Sequence, residues 1–277
     1  MEKRKGLREG FVGIVGLLAV TAILLNGCAG KASGSKNAQN LPEIIVGSDD
    51  YPPFNYLDEN GQPTGIDVDL AKEAFGRMGY QVVFKQINWE EKQDLLEDGE
   101  IDCIWGSFSI DGREKEYKWA GPYMVSRQVV AVNEESDIYT LQDLEGKRIA
   151  VQSTTKPEEI FQNHEDERLP ALKEIFSMQN RELIYPFLSK GYADAVAAHE
   201  TAILQYMKDY DLKYRILEEP LLTVGLGVAF RKDDENGIAE ELSDTFEKMR
   251  ADGTTEKVIG SYLDNVEKYL EVDDYEK

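Results

Sequence analysis

The chain is short of cysteine: its 277 residues hold two, Cys28 and Cys103. With Cys28 ending a hydrophobic leader, Cys103 has no partner for an intramolecular disulfide, so stability must come from a packed core. Histidine is equally scarce. His164 and His199 are the two present, neither with a second ligand at helical spacing, so no metal site or cofactor is expected. Positive charge is also in deficit, 31 Lys and Arg against 53 Asp and Glu, a net of −22. Without the first 27 residues, which carry four basic and two acidic groups, the balance is 27 against 51, or −24. So acidic a surface repels phosphate backbones and excludes nucleic acid as a partner. It says little about a cleft, where the local potential can oppose the net charge. No segment after residue 25 approaches the length of apolar run that spans a membrane.

Lys3, Arg4, Lys5 and Arg8 precede the apolar stretch from Phe11 to Leu25, which Leu25-Asn26-Gly27-Cys28 closes. A basic start, a short apolar run and a small-residue end form a secretory leader. The closing quartet resembles the lipobox of bacterial lipoproteins. That resemblance implies cleavage before Cys28 and a lipid on its sulfur, holding the mature chain on the outer face of a bacterial cell membrane. Residues 1–27 are read as the signal peptide and 28–40, rich in Gly, Ser, Ala, Asn and Lys, as a flexible tether.

From Leu41 onward, strands alternate with helices. Glu43 to Ser48 predicts a first strand, Asp67 the N-cap of a helix running through Met78, Gln81 to Gln86 a second strand, and Glu90 to Asp98 a helix stopped by Gly99. Ile101 to Trp105 predicts a buried strand that opens at Gly106 into a polar loop. Leu141 to Leu144 reads as a short helix and Lys147 to Val151 as a strand, followed by Thr155 and Glu158 at capping-box spacing. Ile238 to Met249 and Thr254 to Lys268 read as the closing helices. Such alternation predicts an α/β fold with mainly parallel sheets flanked by helices, in which ligands sit at the carboxyl ends of the strands.

Two long extended runs, Arg127 to Val132 and Leu221 to Phe230, suit crossovers between two lobes: 41–126 and 224–277 forming the first, 127–223 the second. An internal repeat supports two lobes. Leu96 to Ile104 aligns without gaps on Leu188 to Val196, matching Leu, Gly and Asp, and the same offset sets His199 opposite Ser107. Equivalent strand ends then face one cleft, which makes Ser107, His199 and the adjoining Glu200 candidate site residues. In the stretch Gly106-Ser107-Phe108-Ser109-Ile110-Asp111-Gly112-Arg113, two hydroxyls and a guanidinium with a planar fork of donors suit a carboxylate. Asp49, Tyr51 and Trp89 lie just beyond other strand ends. Gly106-Ser107-Phe108-Ser109-Ile110 lacks the closing Gly of a hydrolase nucleophile elbow.

Tyr51-Pro52-Pro53-Phe54, Gly65-Ile66-Asp67-Val68-Asp69-Leu70, Ile101-Asp102-Cys103-Ile104, Ser109 to Arg113, Gly121-Pro122-Tyr123, Val151-Gln152-Ser153-Thr154-Thr155 and Ala251-Asp252-Gly253-Thr254 follow one another in an order that resembles the extracellular solute-binding proteins of family 3, the polar amino acid receptors of ABC importers. The resemblance implies a two-lobed periplasmic-binding fold of type II that closes on one amino acid and engages an importer permease. It implies that Arg113 clamps the ligand carboxylate with backbone N–H groups near Ser109, Thr154 and Thr155. Gly106, Ser107, Phe108 and Ser109 would frame it, Tyr51 and Trp89 would wall the side chain, and Asp49 would contact its tip. Acidic residues near the pocket hint at a cationic ligand side chain. His199 stands where many members carry an Asp for the ligand ammonium, so either Glu200 or Asp49 takes that role or the ligand is not a standard α-amino acid. Two alternatives use the same fold: a periplasmic dehydratase of the arogenate or prephenate type with His199 and Glu200 as acid–base pair, and a receptor for a membrane signalling protein.

Overall fold

The computed structural model describes residues 41–164 and 166–272. The leader, the tether and Cys28 lie outside the described residues. Among the described residues no helix is long and apolar enough to cross a membrane.

The chain runs β1 (Glu43–Ser48), β2 (Tyr56–Leu57), β3 (Pro63–Thr64), α1 (Ile66–Met78), β4 (Gln81–Gln86), α2 (Lys92–Glu97), β5 (Cys103–Ser109) and β6 (Lys118–Asn133). It continues through β7 (Arg148–Gln152), α3 (Lys156–Asn163), β8 (Glu174–Met178), α4 (Ile184–Ser189), β9 (Ala195–His199), α5 (Glu200–Asp209), β10 (Tyr214–Ile216), β11 (Leu222–Phe230), α6 (Ile238–Ala251) and α7 (Thr254–Gly260). Hydrogen-bonded neighbours follow the order β4-β1-β5-β11-β6-β9-β7-β8, with β10 on the side of β6. The fold is the expected two-lobed α/β arrangement. β4, β1 and β5 form a parallel set in the first lobe, β9, β7 and β8 a second in the other. The antiparallel pair β6 and β11 connects them.

β6 is the structural bridge. At about 3.3 Å per residue its 16 residues are long enough to belong to both lobes. Lys118 to Gln128 pairs with β11, and Gln128 to Ala131 pairs with β9. The strand therefore starts well before Arg127, and its pairing passes from β11 to β9 at Gln128.

Strand alternation divides the core. On β5, Cys103 and Trp105 pack with Phe75, Tyr123 and Phe246 on one face, while Ile104 and Phe108 join Trp89, Leu96 and Tyr117 on the other. The second lobe repeats the scheme: Val130, Ile149, Val151 and Ala195 face one cluster, Val129, Ala150, Val196 and Ala198 the other. Each sheet is buried on both faces, so its strands read as continuous apolar runs. Cys103 is fully buried and burial pushes its thiol pKa up, as an inert core residue requires.

The repeat seen in the sequence is a repeat in space. Gly99 and Gly191 both take positive φ, +71° and +70°, where the chain turns from helix into strand. The Asp102 carboxylate then accepts the Ile45 N–H at 2.6 Å, and the Asp194 carboxylate accepts the Arg148 N–H at 2.8 Å. Each aspartate thus pins the neighbouring parallel strand at its start.

Several boundaries differ from expectation. The α1 N-cap is Gly65, not Asp67; a side chain at Gly65 would meet the Phe54 carbonyl oxygen at 2.3 Å, with φ at +123°. The segment from Glu90 begins as a 3₁₀ turn at Trp89–Glu91 and becomes helical at Lys92. β5 continues through Ser109 because β11 supplies partners for Phe108 and Ser109. Thr155 caps α3 only by backbone position: its hydroxyl donates to the Gln152 carbonyl, and Glu158 accepts from the Thr154 N–H. The last helix stops at Gly260 instead of reaching Lys268.

Replacing Asp102 or Asp194 with Ala should lower stability by about 1–2 kcal/mol each through a lost charge-assisted bond to a strand N–H. Urea unfolding of the two variants measures this; replacing Asp194, which also binds the Arg148 guanidinium at 2.7 Å, should cost at least as much as replacing Asp102.

Candidate functional site

Six parallel strands end at one cleft. From the first lobe, Asp49 and Tyr51 follow β1, Trp89 and Lys92 follow β4, and Ser107 and Ser109 close β5 with Arg113 beyond them. From the second, Thr154, Thr155 and Lys156 follow β7, Arg181 follows β8, and His199 ends β9. Gln128 reaches the cleft from the bridge strand β6, where it pairs in register with His199.

Ser107 sits at φ +51°, a strained left-handed conformation for a residue with a side chain. A buried acid holds it there. Asp67, 1% exposed, accepts the Ser107 N–H at 2.7 Å and the Tyr123 hydroxyl at 2.8 Å. Burial raises the Asp67 pKa to about 7 against the pull of those donors. Gly106 has to be glycine, because a Cβ would stand 2.6 Å from the Ser48 hydroxyl. The Ser107 hydroxyl is itself buried and unpaired.

Arg113 is 8% exposed and reaches across the cleft to Glu159 on α3, at 2.8 Å. Its guanidinium carbon lies 5.5 Å from the Phe108 ring centroid, and Phe108 packs edge-on against Trp89. Thr154, at φ +57°, and Thr155 open α3 opposite Arg113. Tyr51 lies on the other side of the pocket; its hydroxyl accepts the His199 N–H at 3.2 Å.

His199 is 4% exposed and fully engaged. The Gln128 amide nitrogen lies 2.9 Å from its Nε2, and the Ser126 hydroxyl 2.8 Å from its Nδ1. With the amide donating as placed, Nε2 accepts and Nδ1 carries the proton toward Ser126. Burial, and next the Arg181 charge, lower the His199 pKa to about 3, so the ring is neutral.

The cleft gathers Tyr51, Trp89, Ser107, Ser109, Arg113 and His199 with Gly106, Phe108, Thr154 and Thr155. Two anticipated residues stand apart. Glu200 turns out of the cleft and pairs with Arg127 at 2.9 Å. Asp49 sits behind the pocket wall, taking the Gln152 amide at 2.9 Å and Arg181 at 3.2 Å. Arg181, Gln128, Gln152, Lys156 and Lys92 were not anticipated as contributors. Arg181 was legible: extending the repeat upstream aligns Asn88-Trp89 with Asn180-Arg181 at the same offset. Both asparagines cap a 3₁₀ turn, accepting the N–H two residues on.

A two-lobed α/β shell whose strand ends enclose a polar, aromatic-walled cleft defines a small-molecule binding fold. The chain belongs to the bacterial extracellular solute-binding proteins, family 3, whose profile matches residues 44–265. The histidine-binding periplasmic protein of Escherichia coli K12 is 36% identical over 235 residues, covering 81% of this chain and 89% of that one. Among solved structures, an ancestral arginine-binding protein bound to arginine superposes with a TM-score of 0.72 at 27% identity, covering 81% of this chain and 99% of the other. An ancestral amino acid-binding protein, AncCDT-1, described as a precursor of cyclohexadienyl dehydratase, gives 0.71 at 28% identity, over 79% and 95% of the two chains.

Because the folded pKa of His199 lies below its ordinary 6.5, the unfolded chain binds a proton between pH 6.5 and about 3 that the folded chain refuses. The stability this represents is present above pH 6.5 and is lost as pH falls through that window. His199→Gln should therefore lose about 2 kcal/mol less than the parent between pH 6.5 and 5. Urea unfolding of both proteins at the two pH values tests this, and equal losses would contradict a buried neutral ring.

Proposed function

We propose that this chain is an extracytoplasmic lipoprotein, anchored through Cys28, that captures an amino acid or similar small polar solute between its lobes and delivers it to an ABC importer. One observation carries the capture step. The Ser107 hydroxyl, the Trp89 indole N–H and the side-chain amide oxygens of Gln128 and Gln152 are all buried without a hydrogen-bond partner, and all four belong to residues lining the same cleft. Native structures leave few such groups unmatched, so a converging set of donors and acceptors is the imprint of a polar ligand. Arg113 supplies the carboxylate clamp by exchanging Glu159 for the ligand.

The lobes are drawn together by more than that one pair. Glu90 of the first lobe accepts from Ser153 and from Gln179, and Lys92 donates to the Thr154 hydroxyl at 2.9 Å. Such contacts bridge the cleft mouth and would form as the β6 and β11 hinge closes. Relatives that bind amino acids support delivery to an importer. A dehydratase reading would need an acid–base pair in the cleft. Glu200 is held by Arg127 outside it and His199 is locked between Gln128 and Ser126, so binding is the better supported function.

Calorimetric titration with the standard L-amino acids and related organic acids should reveal one-to-one binding. Arg113→Ala should weaken it by about 2–5 kcal/mol, since the buried ligand carboxylate loses its partner. Absence of binding across that panel would overturn the reading. For the anchor, Cys28→Ser should move the protein from the membrane fraction to the soluble one; an unchanged distribution would argue against lipidation.

A further inference from the structure

The balance of charge in the cleft identifies the class of ligand. Four cations stand in it or against its wall, Lys92, Arg113, Lys156 and Arg181, each less than a tenth exposed. Carboxylates meet three of them. Glu159 takes both Arg113, at 2.8 Å, and Lys156, at 3.2 Å, while Asp49 takes Arg181. Among the described residues Lys92 has no carboxylate within ion-pair distance. Its Nζ donates to the Trp89 carbonyl at 3.2 Å and the Thr154 hydroxyl at 2.9 Å. It sits 5.7 Å from the same Phe108 ring that Arg113 approaches at 5.5 Å. Two buried like charges sharing one ring repel each other in a low-dielectric setting, and an anion between or beside them would relieve this. Burial, followed by the Arg113 charge, lowers the Lys92 pKa to about 8, while Asp49 and Glu116 act on it in the opposite sense.

The place a ligand cation would take is already occupied. An aromatic face flanked by a carboxylate is a cation receptor, and Tyr51 with Asp49 provides one. The chain's own Arg181 fills it, its guanidinium carbon 3.2 Å from the Tyr51 ring centroid and its nitrogen 3.2 Å from the Asp49 carboxylate. The opposite strand end offers an imidazole engaged on both nitrogens in place of a negative charge.

We propose that the ligand is a diacid, a dicarboxylic amino acid or a related dicarboxylate, with one carboxylate on Arg113 and the second neutralising Lys92. This rests on the reading of the cleft as a binding site and narrows it, against the cationic side chain that the acidic sequence suggests. The test is calorimetric titration of the full chain in detergent with L-glutamate, L-aspartate, glutarate and 2-oxoglutarate, set against L-glutamine, L-histidine and L-arginine. At least one diacid should bind about 100-fold more tightly than L-glutamine. Lys92→Gln should erase about tenfold of that preference, read as the ratio of diacid to L-glutamine affinity, in which the loss of the closure contact to Thr154 cancels because both ligands share it. Arg181→Ala, which frees the Tyr51 face and Asp49, should raise affinity for L-arginine. If L-glutamine, L-histidine or L-arginine binds the parent as tightly as any diacid, the diacid assignment falls while the binding function stands. If none of the seven compounds binds, the diacid assignment falls; if the full panel of amino acids and organic acids also fails, the binding function falls as well.

Discussion

The cleft depends on a carboxylate that never reaches it. Asp67 lies in the first turn of α1, buried to 1% exposure, and joins three parts of the first lobe: its own helix, the end of β5 through the Ser107 N–H, and the bridge strand through the Tyr123 hydroxyl. An acid in that position is costly to bury, as its pKa of about 7 records. What the burial secures is the left-handed Ser107, the conformation that leaves this hydroxyl in the cleft instead of in the strand ladder. With Gly106 pressed against Ser48 and Trp89, the floor of the site has little freedom. Preorganised donors of this kind do not have to be ordered when a ligand arrives.

Opposite this floor, the second lobe repeats the architecture with different chemistry. The turn glycines, the strand-pinning aspartates and the capped 3₁₀ turns recur at one offset. At the equivalent strand ends, however, Trp89 is answered by Arg181, Lys92 by Ile184 and Ser107 by His199. Backbone features are kept because they define where the strands end. The side chains that project from those ends are free to diverge, so the two lobes present different groups to one cleft.

Much of the fold was legible because both sheets are buried on both faces. Ile44-Ile45-Val46 and Ala195 to Ala198 are apolar runs bounded by turn residues, and the gapless repeat betrayed two lobes. What escaped was what only tertiary partners decide. Gly106 to Ser109 reads as a loop, yet β11 draws Phe108 and Ser109 into a ladder. The final helix looked continuous to Lys268. Tyr262 instead reaches back to the first lobe, bonding Asp69 at 2.7 Å and the Gly65 N–H at 3.3 Å, and Asn265 at φ +52° turns the chain. Arg113, Ser107, Ser109, Tyr51 and Trp89 line the cleft, as positions just beyond strand ends lead one to expect. Glu200 adjoined the right strand end, but as the first residue of α5 it turns outward to Arg127.

A chain of net charge −22 that encloses surplus cations is not a contradiction. Exposed carboxylates are hydrated and screened within about 8 Å at physiological ionic strength, so they set solubility and long-range potential. Around the cleft the cationic side chains are less than a tenth exposed and the nearby groups dominate: Lys92 and Arg113 on one ring, Arg181 on Tyr51. Burial, and next the Arg113 charge, lower the Lys92 pKa, the cost of holding that charge there. An acidic surface slows the approach of an anion, whereas the cationic interior strengthens its retention. Such a division acts on association and dissociation of an anion in opposite directions.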